Sequence, residues 1–357
     1  MNVLLLENKY KKKYRNLALM KFSTYYKRQG YNVDYYNGID KKNTLKDDYD
    51  IIIYSTIFTF YFHEDIKTIT YYKNKYPNAN IMIGGVSASL LPDKFFEETN
   101  IMPHQGIYEP VEYLPPDYNL FPEHKMKNVS EVFSARGCKN NCAFCAVRIL
   151  EPDYLINEQW RDSIDLTKSK VMIHDNNLIT GSYEHFKDVT TFVTENKLIT
   201  TFDNGFDCRK FTEEHLKHII NIKFDRGGLR FAFDNMSEDE HIQRTIKMCL
   251  NAGIGKSKIM VFLLYNYKDD FEEAMYRAEE IKKLGVRPYP QQYRPLDDTE
   301  LKNNYISKHW DKKLLRDFRF YWMFPGIYGK QKWEDYIKNG GANAYGDKKI
   351  NSNEVVN

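Results

Sequence analysis

Short apolar runs alternate with helix-length amphipathic segments along most of this chain, and that rhythm restricts the fold more than any other feature. Strands separated by helices cannot pair through tight turns, so they pair in parallel, with helices covering the faces of the sheet. The first series covers residues 1–105. Val3-Leu4-Leu5-Leu6 is a short buried run, residues 17–28 read as a helix stopped near Gly30, and residues 31–36 alternate as a second strand. Asp50-Ile51-Ile52-Ile53-Tyr54 is a third strand, residues 65–76 a helix ended by Pro77, and Ile81-Met82-Ile83 a fourth strand running into Gly84-Gly85. Ligands on such sheets sit beyond the carboxyl ends of the strands, which puts Asn8, Ser55 and Gly84 on the expected rim.

Residues 106–130 carry Pro110, Pro115, Pro116 and Pro122 with little periodicity, and read as a linker. A second series starts at Glu131. Its expected strands are 131–135, 170–174, 198–203, 229–233, 258–264 and 287–291, and its clearest helices are 184–194, 213–220, 238–251 and 271–284. Six such units are too few for a closed eight-unit barrel; an open, partial barrel fits, with its chemistry at the carboxyl ends of the strands. The expected fold class is α/β. It comprises a Rossmann-like parallel sheet domain (1–105), the linker (106–130), a partial (β/α)6 TIM-like barrel (131–298), and a helical C-terminal extension and tail (299–357).

The formal net charge of +3 neither demands nor excludes nucleic acid. The longest basic run, Lys9 to Arg15, reads as a solvated loop and helix start, with a phosphate-contacting patch as the alternative. Residues 314–324 mix arginine with aromatics; an amphipathic helix capping the barrel is expected, and a stacking surface for nucleic acid bases is the alternative. Past Gly340 the chain is polar and reads as frayed. No apolar run is long enough to span a membrane and the first residues lack a signal-peptide core, so a cytoplasmic location is expected.

Five cysteines in 357 residues do not make a disulfide scaffold, but three of them crowd into Cys138-Lys139-Asn140-Asn141-Cys142-Ala143-Phe144-Cys145. The spacing is C-x3-C-x2-C, directly after an expected strand. A cubane cluster held wholly by protein takes four thiolates. Three leave one iron open to an outside ligand. Zinc is the rival, but a structural zinc site takes four closed ligands, commonly in two C-x2-C pairs, and no histidine follows closely here. Cys208 and Cys249 read as buried thiols.

The triplet, with Phe144 before its third cysteine, resembles the signature of the radical S-adenosylmethionine (SAM) superfamily, and the resemblance extends over residues 131–295. It implies a [4Fe-4S] cluster on Cys138, Cys142 and Cys145. It implies SAM chelated to the open iron and cleaved reductively to methionine and a 5′-deoxyadenosyl radical that takes hydrogen from a substrate. An external one-electron reductant of the flavodoxin or ferredoxin type follows as a partner. Further SAM contacts are carried over by position. Asp175 follows the second strand, Asn204 and Arg209 follow the third, Asp234 ends the fourth, and the backbone around Phe144 meets the adenine. His174 reads as a satisfied barrel histidine. Gln292, Tyr293 and Arg294 close the sixth strand where substrate would lie. The family's glycine pattern on the fifth strand is absent from Val261-Phe262-Leu263-Leu264-Tyr265.

A Rossmann-like domain ahead of such a barrel resembles the cobalamin-dependent branch of that family. Ser55-Thr56-Ile57 and Gly84-Gly85 fall where that branch's serine and double-glycine motifs meet the nucleotide tail, whereas its cobalt-ligating Asp-x-His-x-x-Gly pattern is missing. The expected activity is SAM cleavage and hydrogen abstraction without cobalamin. A cobalamin-dependent methyl transfer is the enzyme alternative, and an iron–sulfur or zinc binding module the non-enzyme one.

Overall fold

The computed structural model describes residues 1–11 and 15–344, in two compact units. The first unit holds residues 1–168 and 295–304, and the second 169–294 and 305–344 of the described residues. Residues 12–14 of the basic run, and residues 345–357 of the tail expected to fray, lie outside the described residues.

In the first unit, β1 (Asn2–Glu7), β2 (Asn32–Asn37), β3 (Ile51–Thr56) and β4 (Asn80–Gly85) form one sheet in the order β2-β1-β3-β4, with every pair parallel. The chain reverses its direction of strand addition between β1 and β3, and the strand ends on either side of that point form the crevice where doubly wound sheets take ligands. Helices α1 (Leu17–Arg28), α2 (Phe62–Lys75), α3 (Val86–Leu90) and α4 (Pro92–Thr99) connect and flank the strands. Alternate residues of β1 feed two cores: Leu4 and Leu6 pack with Phe62, Ile69 and Phe95, while Val3 and Leu5 pack with Leu19 and Phe22. Asn16 caps α1 by accepting from the Leu19 amide at 3.2 Å. Gly85 has φ +98°, and a Cβ there would stand 2.2 Å from the Thr56 carbonyl oxygen, so the second glycine of the pair is required by strand packing alone.

The proline-rich segment, read as a linker, is laid along α1. Its short helix α5 (Glu109–Glu112) follows Tyr108, whose ring stacks on Phe22 at 5.3 Å. Ser23 donates to Asp117 at 2.7 Å and Thr24 to the Pro115 carbonyl at 2.7 Å. Arg15, at the end of the basic run, is turned inward. It pairs with buried Glu131 at 2.6 Å and donates to the Val129 carbonyl, both on β5 (Val129–Val132). That burial removes Arg15 from any phosphate-binding surface.

In the second unit β8 (Lys170–Ile173), β9 (Ile199–Phe202) and β10 (Lys223–Phe224) pair in parallel, as do β11 (Leu229–Ala232), β12 (Ile259–Tyr265) and β13 (Arg287–Gln292). The preceding short pair, β6 (Ala135–Arg136) and β7 (Leu155–Ile156), belongs to the first unit and is antiparallel. A parallel bridge between Phe206 and Phe231, and a bond from the Phe202 amide to the Gly228 carbonyl at 2.8 Å, join the β9 and β11 edges. After a one-turn helix α6 (Val147–Leu150) in the first unit, the second unit carries α7 (Tyr183–Glu195), α8 (Glu213–Ile219), α9 (Asp239–Asn251) and α10 (Phe271–Lys283) between its strands. The α/β class with parallel sheets is therefore present. Helix α11 (Lys312–Met323) buries Phe318, Phe320, Tyr321 and Trp322, each 5% exposed or less, so these rings are core and offer no stacking surface. Among the described residues no helix is long and apolar enough to cross a membrane.

At the carboxyl rim of the first sheet, fully buried Asp65 collects three donors on one oxygen: Asn8 at 3.1 Å, Tyr10 at 2.8 Å and Tyr54 at 2.9 Å. Its other oxygen is buried without a partner among the described residues. Desolvation outweighs these donors and pushes the carboxyl up to about 7. A carboxyl raised in the fold contributes stability that is complete below about pH 4 and is lost as pH rises through the folded value, a few kcal/mol in order of magnitude. The thermal midpoint of the wild type should therefore fall relative to that of Asp65→Asn between about pH 5 and about pH 8. Parallel profiles would exclude this ionisation.

Candidate functional site

The cysteine triplet lies on the loop that leaves β6 and enters α6, within the first unit. The loop is closed at its base by the β6–β7 ladder, in which Ala135 faces Ile156 and Arg136 faces Leu155. Below it, the Asn157 amide donates to the Ser134 carbonyl at 2.9 Å. Gly137 turns the chain at φ +76°, and a Cβ on it would stand 2.0 Å from the Asp153 carbonyl oxygen. The Gly137 amide donates to Glu151 at 2.8 Å, and the Arg136 guanidinium lies 3.5 Å from the centre of the Phe133 ring. The two residues before Cys138 are thus fixed, Gly137 by backbone and carboxylate and Arg136 by the Phe133 ring.

Along the loop, the Asn140 amide donates to the Cys138 sulfur at 3.4 Å, and the Cys145 amide to the Cys142 carbonyl at 3.0 Å. The three triplet thiols are half-buried. Phe144 is likewise half-buried between the second and third of them. Among the described residues no three His, Cys, Asp or Glu side chains are grouped to hold one metal ion. A cubane asks for a different arrangement, because its thiolates bind separate irons. Here three thiols lie within eight residues, on a loop with one amide directed at a sulfur. The other two cysteines differ. Cys208 is 1% and Cys249 0% exposed, and burial pushes each thiol up to about 12, which opposes the thiolate.

The remaining predicted residues stand at strand ends of the second unit, in two clusters. The first surrounds the ends of β8 and β9. His174 and Asp203 meet at 3.2 Å, and Arg230 donates to both a carboxylate oxygen and the carbonyl of Asp203, each at 2.6 Å. The Asn204 side chain donates to the His174 carbonyl at 2.7 Å, so it ties the two strand ends together. Asp175, the next residue after His174, is 5% exposed.

The second cluster surrounds the ends of β11 and β12. Asp234 accepts from the Leu264 amide at 3.1 Å, while its own amide donates to Glu238 at 2.7 Å. Burial, reinforced by the Glu238 charge, pushes Asp234 up to about 7. Arg209 grips Asp207 with two bonds of 2.8 Å and reaches Glu238 at 3.8 Å. Fully buried Arg277, from α10, donates to the carbonyls of Phe233 and Leu264 at 2.8 Å each and pairs with Asp269. The structure therefore brings Arg209 and Asp234 into one network through Glu238. Tyr293, beyond β13, packs against Tyr267 at 4.6 Å and Tyr305 at 5.1 Å.

Polar side chains and aromatic rings line the carboxyl rim of the first sheet. Asn16 spans the β1 and β3 ends, donating to Glu7 at 2.9 Å and to Ser55 at 3.0 Å, and all three residues are buried. Tyr10 stands over the neighbouring loop, with Phe58 at 5.7 Å and Tyr61 at 5.0 Å, so half-buried rings of the aromatic stretch after β3 gather at the rim. Compared with protein-family models and with curated proteins, the chain gives no match.

Gly137→Ala should destabilise the loop far more than Gly30→Ala. Both glycines have positive φ, but a Cβ on Gly30 meets nothing within 4 Å. The Gly30 change should cost about 1–2 kcal/mol for the left-handed backbone alone. Gly137→Ala should in addition open residues 137–154 to limited proteolysis. Equal melting temperatures and equal cleavage in the two variants would refute the close approach.

Proposed function

We propose that this chain is a radical SAM enzyme that takes hydrogen from an unactivated C–H bond. The observation that carries the reading is the C-x3-C-x2-C triplet on a loop fixed at its base by Gly137 and Arg136. Cys138, Cys142 and Cys145 would hold three corners of a [4Fe-4S] cluster and leave the fourth iron to SAM. When bound, the cluster supplies one electron for SAM cleavage, received from an external reductant of the flavodoxin or ferredoxin type. The protein's own contribution is to bind, orient and exclude water. The Asn140 amide reduces the charge density on the Cys138 sulfur, one of the protein's levers on cluster potential.

In this reading β8, β9, β11, β12 and β13 are strands of an open barrel, and Asp175 and Asp234 hold SAM at their carboxyl ends. Asp234, with its value near 7, is suited to exchange hydrogen bonds with ribose hydroxyls as either donor or acceptor. Asn204 and Arg209 act through the strand ends and acids they hold. The missing Asp-x-His-x-x-Gly pattern, together with the Asn16 bonds and aromatic rings at the rim of the first sheet, supports the version without cobalamin, and no step is assigned to a corrinoid.

Anaerobic reconstitution with iron and sulfide, followed by SAM and reductant, tests the reading. Alanine at any of Cys138, Cys142 or Cys145 should abolish the cubane spectrum and deoxyadenosine formation, whereas Cys208→Ala and Cys249→Ala should keep the cluster. Asp175→Ala and Asp234→Ala should keep the iron and lose roughly tenfold to hundredfold in SAM affinity, as for one hydrogen bond to a charged group. A triplet variant with full cluster and activity would overturn the assignment; zinc at one equivalent and no SAM cleavage would favour the binding module. Separately, protein from cells supplied with cobalamin should carry no stoichiometric corrinoid by absorbance. One bound equivalent would promote methyl transfer to the leading reading.

A further inference from the structure

A chain of ion pairs runs through the first unit from α1 to the residue before Cys138. It begins at Lys21, 3% exposed on α1, which donates to the Glu112 carbonyl and lies 3.2 Å from the Glu112 carboxylate. Glu112 is 6% exposed and ends the four-residue helix α5. Its two oxygens receive the fork of Arg136, at 2.8 Å from Nε and 2.9 Å from Nη2. The remaining arm of Arg136 donates to Glu151 at 3.0 Å, and the other oxygen of Glu151 accepts the Gly137 amide at 2.8 Å. Every link joins a charged side chain to the next, and the last one reaches the backbone that delivers Cys138.

Two properties of this chain go beyond fastening. First, its fork geometry is directional. A guanidinium bound by two carboxylates through three of its nitrogens has one orientation, whereas a lysine in its place would be a point charge with no preferred plane. Arg136 is additionally clamped on the Phe133 ring. Second, the charges balance: Lys21 and Arg136 supply two positive charges, Glu112 and Glu151 two negative ones. Buried charges are weakly screened, so removing one leaves a net charge felt by neighbouring groups. Burial lowers Lys21 to about 8 although Glu112 opposes the shift, so the lysine is predominantly charged at pH 7.

We propose that Glu112 is a positioning residue for the cysteine loop, and that the balanced Lys21–Glu112–Arg136–Glu151 chain sets the charge beside the cluster that the loop holds. This rests on the radical SAM reading for its redox part and stands without it for its conformational part. The helix α1 is then the frame against which the loop is held. Its N-cap, Asn16, is bonded to Glu7 and Ser55 on the sheet's rim, so α1 is fixed at one end by the sheet and along its length by Glu112.

The test uses the full chain and three variants: Glu112→Gln, Lys21→Met and Glu112→Asp. In metal-free protein, hydrogen exchange of the amides of residues 137–146 should be at least tenfold faster in Glu112→Gln than in the wild type, with α10 unchanged as an internal control. Glu112→Asp, which keeps the charge on a shorter arm, should fall between them. In reconstituted protein at pH 7, a potentiometric titration followed by electron paramagnetic resonance should show opposite shifts. Loss of a negative charge in Glu112→Gln raises the midpoint potential, loss of a positive charge in Lys21→Met lowers it, and Glu112→Asp stays at the wild-type value. General loosening of the loop would move the two neutralising variants in the same direction. Shifts of one sign, or none, overturn the electrostatic claim, and unchanged exchange in Glu112→Gln overturns the positioning claim. If the wild type itself takes up no [4Fe-4S] cluster, the radical SAM reading and the redox claim both fall, and the exchange experiment decides positioning alone. If Glu112→Gln does not fold, Lys21→Met and Glu112→Asp carry both measurements.

Discussion

Parallel strand pairing is the constraint from which the rest of this structure follows. Two parallel strands cannot be joined by a tight turn, so each connection must cross a face of the sheet, and here a helix makes most of those crossings. The arrangement has a consequence for chemistry. Within a sheet, all carboxyl ends lie on one side, and residues far apart in sequence arrive there together. Glu7, Ser55 and Asn16 meet on the rim of the first sheet for that reason, and His174 and Asp203 meet at the ends of β8 and β9 in the second unit, where Arg230 reaches them from within β11. The antiparallel β6–β7 pair departs from this pattern, and it closes the base of the loop, residues 137–154, that carries the cysteines.

Bringing strand ends together also brings polar groups out of water, and each unit answers that cost in its own way. In the second unit a single arginine, Arg277, satisfies two strand-end carbonyls and a carboxylate, so that the ends of β11 and β12 stay level. The first unit uses hydroxyls and amides instead: Tyr10, Tyr54 and Asn8 converge on Asp65. Neither solution is neutral. A carboxyl kept near 7 by burial is a group whose charge depends on its surroundings, and both Asp65 and Asp234 are of this type. Asp65 is enclosed and serves the fold, whereas Asp234 is only partly buried and stands at a strand end, where a ligand would share its environment.

The elements were legible from local pattern because burial acts locally. Val3–Leu6 and Ile51–Tyr54 are apolar runs too short for helices, and they are strands; the amphipathic stretch at 271–284 is α10 to within one residue. The aromatic run in α11 was ambiguous, since rings that stack on bases and rings that fill a core have the same composition; packing of Tyr321 and Trp322 to zero exposure decides it. The long-range ion pairs were not legible. Lys21 and Glu112 are separated by 91 residues, Arg15 and Glu131 by 116, and nothing in the spacing of either pair marks it. One signal was present in retrospect. Arg277 shares a helical face with Ala274, Ala278 and Ile281, and a cation within an apolar stripe requires a buried partner. Asn204 and Arg209 were legible as strand-end polar groups, but their binding of His174 and Asp207 depends on loop geometry that sequence does not state.

Solvation sorts the five cysteines by what each sulfur can become. A thiol that ligates iron must give up its proton, which burial in apolar surroundings opposes and nearby amides or cations favour. Cys249 lies on the buried face of α9, and Cys208 sits among Asp207, Glu238 and Asp234, whose negative charges oppose a thiolate still further. Both are held protonated by their surroundings. The triplet differs in exposure: its sulfurs are half-buried, and the Asn140 amide points at Cys138. A fourth ligand cannot be recruited from the other two thiols without dismantling packed elements, since each is fixed inside the second unit's core. In the proposed radical SAM reading the chain would offer three thiolates, and the iron left without a protein ligand is what would let a small molecule enter the coordination shell.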